Sequence, residues 1–273
     1  MAQASAVCAP EIEINHSETC VSGNGDGMSN YRDWVGEDTP PKKKLPALDV
    51  GPIHGVLPFE GARNPLTRSN TAKRISAAIA TPRTGGVRQV YHFDGEAEFY
   101  VAVEALLSPD LYGLEVQLAP IDYYDRRSRK WRQHYFDLRL TYADGHRRAV
   151  FVRNGTSLAK QETQDEIDDI FAALTLDFAD TACVVDADRY TKAYKDNLRR
   201  LWECSKVQDA EADGIVEKAA REESYWLLRD LISKCPIENW RAFQAAMRLV
   251  ARKVLRADLY GVLDYTSRVA LHS

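Results

Sequence analysis

No apolar run in the 273 residues approaches the ~20 needed to cross a bilayer. The first twenty residues, MAQASAVCAPEIEINHSETC, lack both a basic start and an apolar core, so no secretory signal is visible. Both absences predict a soluble, cytoplasmic protein with no membrane partner. Paired cysteines are lacking too. Cys8, Cys20, Cys183, Cys204 and Cys235 are scattered and include no C-x-x-C pair. Cys8, His16 and Cys20 are the one set that could be imagined as metal ligands, and their spacing does not support it. Free thiols in a reducing compartment are the expectation. Internal repeats are absent as well.

Charge of one sign is missing from two stretches. Residues 1–40 carry Glu11, Glu13, Glu18, Asp26, Asp33, Glu37 and Asp38 against a single base, Arg32. Residues 61–93 carry Arg63, Arg68, Lys73, Arg74, Arg83 and Arg88 and no acid. The formal net charge of −4 therefore hides a segregated pattern, and local clusters rather than the sum govern phosphate binding. A solvated surface segment explains the basic stretch equally well.

What is present divides the chain into four parts. Residues 1–55, rich in Gly, Ser, Asn, Pro and charge, read as a flexible acidic tail and linker. Residues 56–89 form a basic arm, with a short helix expected near 70–80. Residues 90–186 read as an α/β domain. In it, 94–108 is helical, with Asp94 as N-cap and acids in the first turn. Leu114, Val116 and Leu118 alternate as one strand face. Residues 123–134, YYDRRSRKWRQH, form a hairpin loop or strand edge bearing Arg126, Arg127, Arg129, Lys130 and Arg132, the expected DNA-binding bases. Trp131 among them could stack on a nucleotide or pack on the sheet.

The stretch HYFDLRLTYADGHRRAVFVRN, 134–154, reads as strand, turn, strand. Phe136, Leu138, Leu140 and Tyr142 share one face, with Asp137, Arg139 and Thr141 on the other. Gly145 supplies the positive φ of the turn. Phe151 and Arg153 fall on a common face, and strand pairing can set that face beside Asp137. An acidic amphipathic helix over 161–174 and a strand over 181–186 follow. Residues 187–273 read as a small helical domain in which 258–271 is a wing or terminal hairpin. Its helix at 239–256 carries a stripe of Trp240, Phe243, Met247, Val250 and Val254. The same helix carries Arg241, Arg248, Arg252, Lys253 and Arg256, which could face DNA.

A helix glutamate, a strand, then a hairpin with an aspartate is the arrangement of a metal-dependent nuclease. Phosphodiester hydrolysis needs Mg²⁺ on one or two carboxylates, with positions open to water and phosphate. A nearby lysine can stabilise the developing charge. Glu98 is the candidate helix carboxylate, with Glu96 as substitute, and Asp137 the strand carboxylate. Each also has an ordinary reading as a solvated charge.

On the segments FDGEAEFYVAVEALLSPDLYGLEVQLAPI, HYFDLRLTYADG and AVFVRN, residues 88 to 160 resemble the TnsA endonucleases, transposon-encoded members of the PD-(D/E)xK restriction-endonuclease-like superfamily. Gln117 and Pro120 match the family's Gln-Pro strand end loosely, with two residues between them. The resemblance implies a central mixed sheet flanked by helices, followed by a helical, winged-helix-type C-terminal domain. It also implies DNA and a transposase as partners, and Mg²⁺ or Mn²⁺ on Glu98 and Asp137 where cleavage survives. Position by position, Phe151 stands where the family has an acid or glutamine, and Arg153 where it has the lysine. Phe151 has no side-chain donor for a metal. Arg153, with a pKa above ~12, can clamp phosphate but cannot serve as a base. The expectation is a DNA-processing protein with impaired or lost cleavage; the alternative from another class is a protein-interaction module.

Overall fold

The computed structural model describes residues 50–66 and 74–272. The acidic tail, Cys8, His16, Cys20, Arg68 and Lys73 lie outside them. Residues 47–273 form one compact unit, of mixed α/β class with seven helices among the described residues.

The basic arm does not become a helix near 70–80. Ile75–Ala80 is a strand, β1, paired antiparallel with β2, Arg88–Phe93. ISAAIA has only short or β-branched side chains, and a partner strand outweighs the helix propensity of its three alanines. Gly85 and Gly86 close this hairpin at φ 61° and 79°. Upstream, the chain stays extended alongside: Leu57 N–H donates to Arg88 O at 2.8 Å, and Val90 N–H donates to Leu57 O at 3.0 Å.

The central sheet has strand order β3–β6–β7–β8, with β3 at Leu111–Val116, β6 at Leu138–Tyr142, β7 at Arg147–Arg153 and β8 at Thr181–Asp186. β3, β6 and β7 are antiparallel neighbours; β7 and β8 run parallel. A parallel connection needs a crossover, which α2 (Gly155–Leu158) and α3 (Gln161–Ala172) supply. Between β3 and β6 stands a separate hairpin, β4 (Ile121–Asp125) with β5 (Lys130–His134). At the turn between β6 and β7, Gly145 has φ 85°.

Helices cover both faces of the sheet. On one, α1 (Glu96–Leu106) buries Phe99, Tyr100 and Val103 against Leu114, Leu138, Leu140 and Val150. On the other, Ile167 and Ile170 of α3 join Phe136, Ala149 and Phe151. The C-terminal part adds α4 (Lys192–Ser205), α5 (Ala210–Glu222), α6 (Leu228–Ser233) and α7 (Asn239–Ala251). It ends with the hairpin β9 (Leu255–Ala257) and β10 (Val269–Leu271). Leu201, Val216, Leu228, Leu231 and Met247 lie in a separate core there.

The strand alternation fails at two neighbouring places. Leu118 does not share a face with Leu114 and Val116, because Gln117 turns left-handed at φ 52° and ends β3. Leu118 then joins the cluster under α3. Phe136 likewise packs under α3 and not with Leu138, because the chain bends at Asp137 before β6 begins. Extending the β3–β6 register by one residue sets Gln117 opposite Asp137. Both strands therefore break at the same line, and the candidate site lies there.

Candidate functional site

Helix α1 delivers Glu98. Asp94 is not its N-cap; Gly95 holds that position, without a side-chain bond. Glu98, in the first turn, reaches back so that its Oε2 accepts from Asp94 N–H at 2.9 Å. The Asp94 carboxylate is instead paired with Arg74 at 2.7 Å, and Arg63 approaches it at 3.9 Å. Glu96, two residues before Glu98, is taken by Lys195 of α4 at 2.6 Å. It is no substitute for Glu98.

The bend before β6 delivers Asp137. Its Oδ2 accepts from Val152 N–H of β7 at 2.7 Å. Glu98 and Asp137, 39 positions apart in sequence, are close enough for the charge of Asp137 to raise the cost of charging Glu98. Burial foremost, then the charge of Asp137, pushes Glu98 up to about 7. Burial pushes Asp137 up to about 6, against the Val152 bond and the fields of Arg153 and Arg63. Such shifts in a partly buried carboxylate pair are a physical mark of a functional site. Arg63, which the sequence offered only as one base of an arm, is brought here because Ala62 N–H donates to Gln117 O at 2.8 Å. Its guanidinium lies 5.0 Å over the Tyr135 ring.

Phe151 and Arg153 share a face of β7, as the alternation predicts, but differ in burial. Phe151 is buried in the cluster under α3, with the His134 ring edge-on at 4.3 Å. Burial, then the field of Arg153, lowers His134 to about 4, which keeps the ring neutral near pH 7. Arg153 is exposed and lies 4.2 Å over the Phe151 ring. It forms no hydrogen bond or ion pair among the described residues. Gln117, 1% exposed, leaves both polar atoms of its amide unpartnered among those residues.

Mg²⁺ and Mn²⁺ prefer oxygen ligands. Here Glu98 and Asp137 each have one oxygen committed to a backbone N–H, Asp94 is tied to Arg74, and Phe151 supplies no side-chain donor. Among the described residues, no group of three or more His, Cys, Asp or Glu is gathered to hold a metal ion. Glu98 and Asp137, each with a second carboxylate oxygen, are the residues that would hold such an ion, and Phe151 adds no side-chain donor to them. What they do present is a carboxylate pair flanked by the guanidiniums of Arg63 and Arg153.

The five bases of the β4–β5 hairpin also divide. Arg126 pairs with Asp169 of α3 through both its backbone N–H and its side chain. Arg127 pairs with Glu162 of α3 at 2.5 Å, and Arg132 with Asp125 at 3.0 Å. These pairs line a polar groove of about 780 Å³ between the hairpin and α3. Arg129 and Lys130, at the exposed tip, have no hydrogen bond or ion pair among the described residues. The helix expected over 239–256 ends at Ala251, leaving Arg252, Lys253 and Arg256 beyond it, and its arginines are paired within the chain. Arg241 pairs with Asp209 and Glu211, and Arg248 and Arg252 both pair with Asp213. Arg248 is 4% exposed and belongs to the interior. No described helix is long and apolar enough to cross a membrane. No protein-family model matches this chain, and no curated protein sequence is similar to it.

Proposed function

We propose that this chain is a DNA-processing protein with a restriction-endonuclease-like core of the TnsA type, in which phosphodiester cleavage is lost or strongly impaired. Its remaining task is to hold DNA or recruit a transposase. The observation that carries this reading is the meeting of Glu98 and Asp137 at the line where β3 and β6 both break. Both carboxylates have raised pKa values there. Two helix-covered faces and a mixed sheet are compatible with such a core. The C-terminal order is compatible with a winged helix: α5, the bridge of Leu227 to Arg268, α6, α7, then β9 and β10. Decay of cleavage is supported by the donor set, because Phe151 serves packing and Arg153 cannot take a proton.

Supercoiled plasmid incubated with the protein and Mg²⁺ or Mn²⁺, beside Asp137→Asn, tests the reading. Retention that weakens with salt, without nicking, is the expected result. Nicking by the wild type that disappears in the variant would overturn the claim of decay. Neither retention nor nicking would overturn the DNA reading and favour a protein-interaction role, for which the inward-paired arginines of α7 speak.

A further inference from the structure

Resting on the DNA reading, we infer that the outer face of the β4–β5 hairpin is a stacking platform for an unpaired stretch of DNA beside the candidate site. Tyr124 and Trp131 are cross-strand partners in the hairpin register. Their ring centroids are 5.7 Å apart, edge to face, and they are 43% and 73% exposed.

The hairpin segregates its chemistry by face. On the inner side, Tyr123 is buried and donates to Glu166 of α3 at 2.7 Å, while Arg126 and Arg127 are neutralised by that helix. Across from it lie the two open rings; Arg129 and Lys130 stand at the adjoining turn, Lys130 opposite Asp125 on the inner side of the register. The acid sharing that outer face, Asp122, is engaged by Gln133 Nε2 at 3.0 Å. Trp226 and Trp202 are capped by a cation of their own chain, Arg268 at 3.8 Å and Lys206 at 3.4 Å, whereas among the described residues Trp240, like Trp131, is not. No cation of a described residue lies over Trp131. Flat rings with unneutralised cations beside them complement a polyanion carrying flat bases.

Placement favours a strand running from the site. β5 leads through Tyr135 and Phe136 directly to Asp137. At ~3.3 Å per residue, Trp131 stands at most about 20 Å from Asp137. An unpaired strand of a few nucleotides covers that distance. Bases in a duplex are stacked on one another and present edges, so the rings call for an unpaired segment. A frayed or gapped element end is such a segment.

The test is titration of the full chain with a short oligothymidylate and with a fully paired duplex, reading anisotropy and tryptophan quenching. Trp131→Ala is expected to weaken oligothymidylate binding roughly five- to 150-fold, the range measured for loss of one stacked base. It should remove most of the quenching and leave duplex affinity unchanged. Trp131→Phe should retain part of the binding, and Arg129→Gln with Lys130→Gln should flatten the salt dependence. Loss of both ligands equally in Trp131→Ala, or of neither, overturns the platform while wild-type duplex binding keeps the DNA reading. A wild type that binds neither ligand overturns both. An unchanged melting temperature confirms that the variant folds, as the exposure of Trp131 implies.

Discussion

Glu98 and Asp137 carry charge that the fold resists. Their folded values of about 7 and about 6 lie above the usual 4.5 and 3.8 of free carboxyls. The folded chain therefore binds protons more tightly than the unfolded chain between about pH 4 and pH 7. Stability falls as pH rises through that window. Glu98→Gln and Asp137→Asn keep an amide oxygen to accept from Asp94 N–H and Val152 N–H, and delete the charge. Each is expected to stabilise the protein by about 2 kcal/mol at pH 8 and to flatten the pH dependence. Denaturant midpoints at pH 5 and pH 8 check this; equal midpoints for wild type and variants would mean the pair is not strained. Phe151 offers the opposite case. Phe151→Ala opens a cavity beside His134 and Phe136 and is expected to cost about 3 kcal/mol, measured by the same unfolding curves. At this scale the sequence singled out Glu98 and Asp137 through the resemblance to a metal nuclease, and the fold sets Asp137 near enough for its charge to raise Glu98. It could not reveal Arg63, whose place depends on the path of a loop, or the swap of Phe136 and Leu118 to the other face. Both swaps follow from backbone breaks, at Gln117 with φ 52° and at the bend of Asp137.

Among elements, the β4–β5 hairpin shows why a basic run is not yet a basic surface. Its arginines lie within seven residues of one another, but the acids of Arg126 and Arg127 come from α3, Asp169 being 43 positions from Arg126. No local pattern reveals such a partner, so a reading by composition counts five free bases where three are neutralised. Arg129→Gln and Lys130→Gln are each expected to lower the salt slope of duplex binding by about 0.9, the loss of one phosphate contact. Arg126→Gln and Arg127→Gln should lower it less. Anisotropy titrations across a salt series decide between the pairs, and the reverse ranking would place the DNA in the groove facing α3. Asp169, whose side chain is 7% exposed, is the anchor of the arrangement. Asp169→Ala strands the Arg126 backbone donor and is expected to cost on the order of 1–3 kcal/mol by thermal unfolding. By contrast, α3 and β8 follow closely the bounds their patterns suggest, since amphipathic period and a short β-branched run are local signals.

For the whole molecule, the boundary expected at 186 and 187 stands just before α4, a helix that packs against both parts. α4 places Leu198 in the core beneath α1 and Leu201 in the C-terminal core. Its Trp202 ring meets Phe99 of α1 at 6.1 Å. Tyr190, just before α4, donates to Glu104 of α1, as does Tyr194 at 2.8 Å. From the other side, Asn197, 1% exposed, donates to Leu259 O at 2.8 Å and Gly261 O at 2.6 Å and accepts from Leu263 N–H at 3.1 Å, fixing the terminal loop to the same helix. A cut after Asp186 would uncover Phe99, Tyr100 and Leu107 together, at about 1.5–3 kcal/mol for each large side chain. Against a total stability of about 5–15 kcal/mol, that loss is decisive. Residues 47–186 alone are therefore expected to give no cooperative melt, whereas the full chain unfolds in one transition followed by circular dichroism. A fragment melting as sharply and as high as the full chain would show that α4 is an accessory to the sheet.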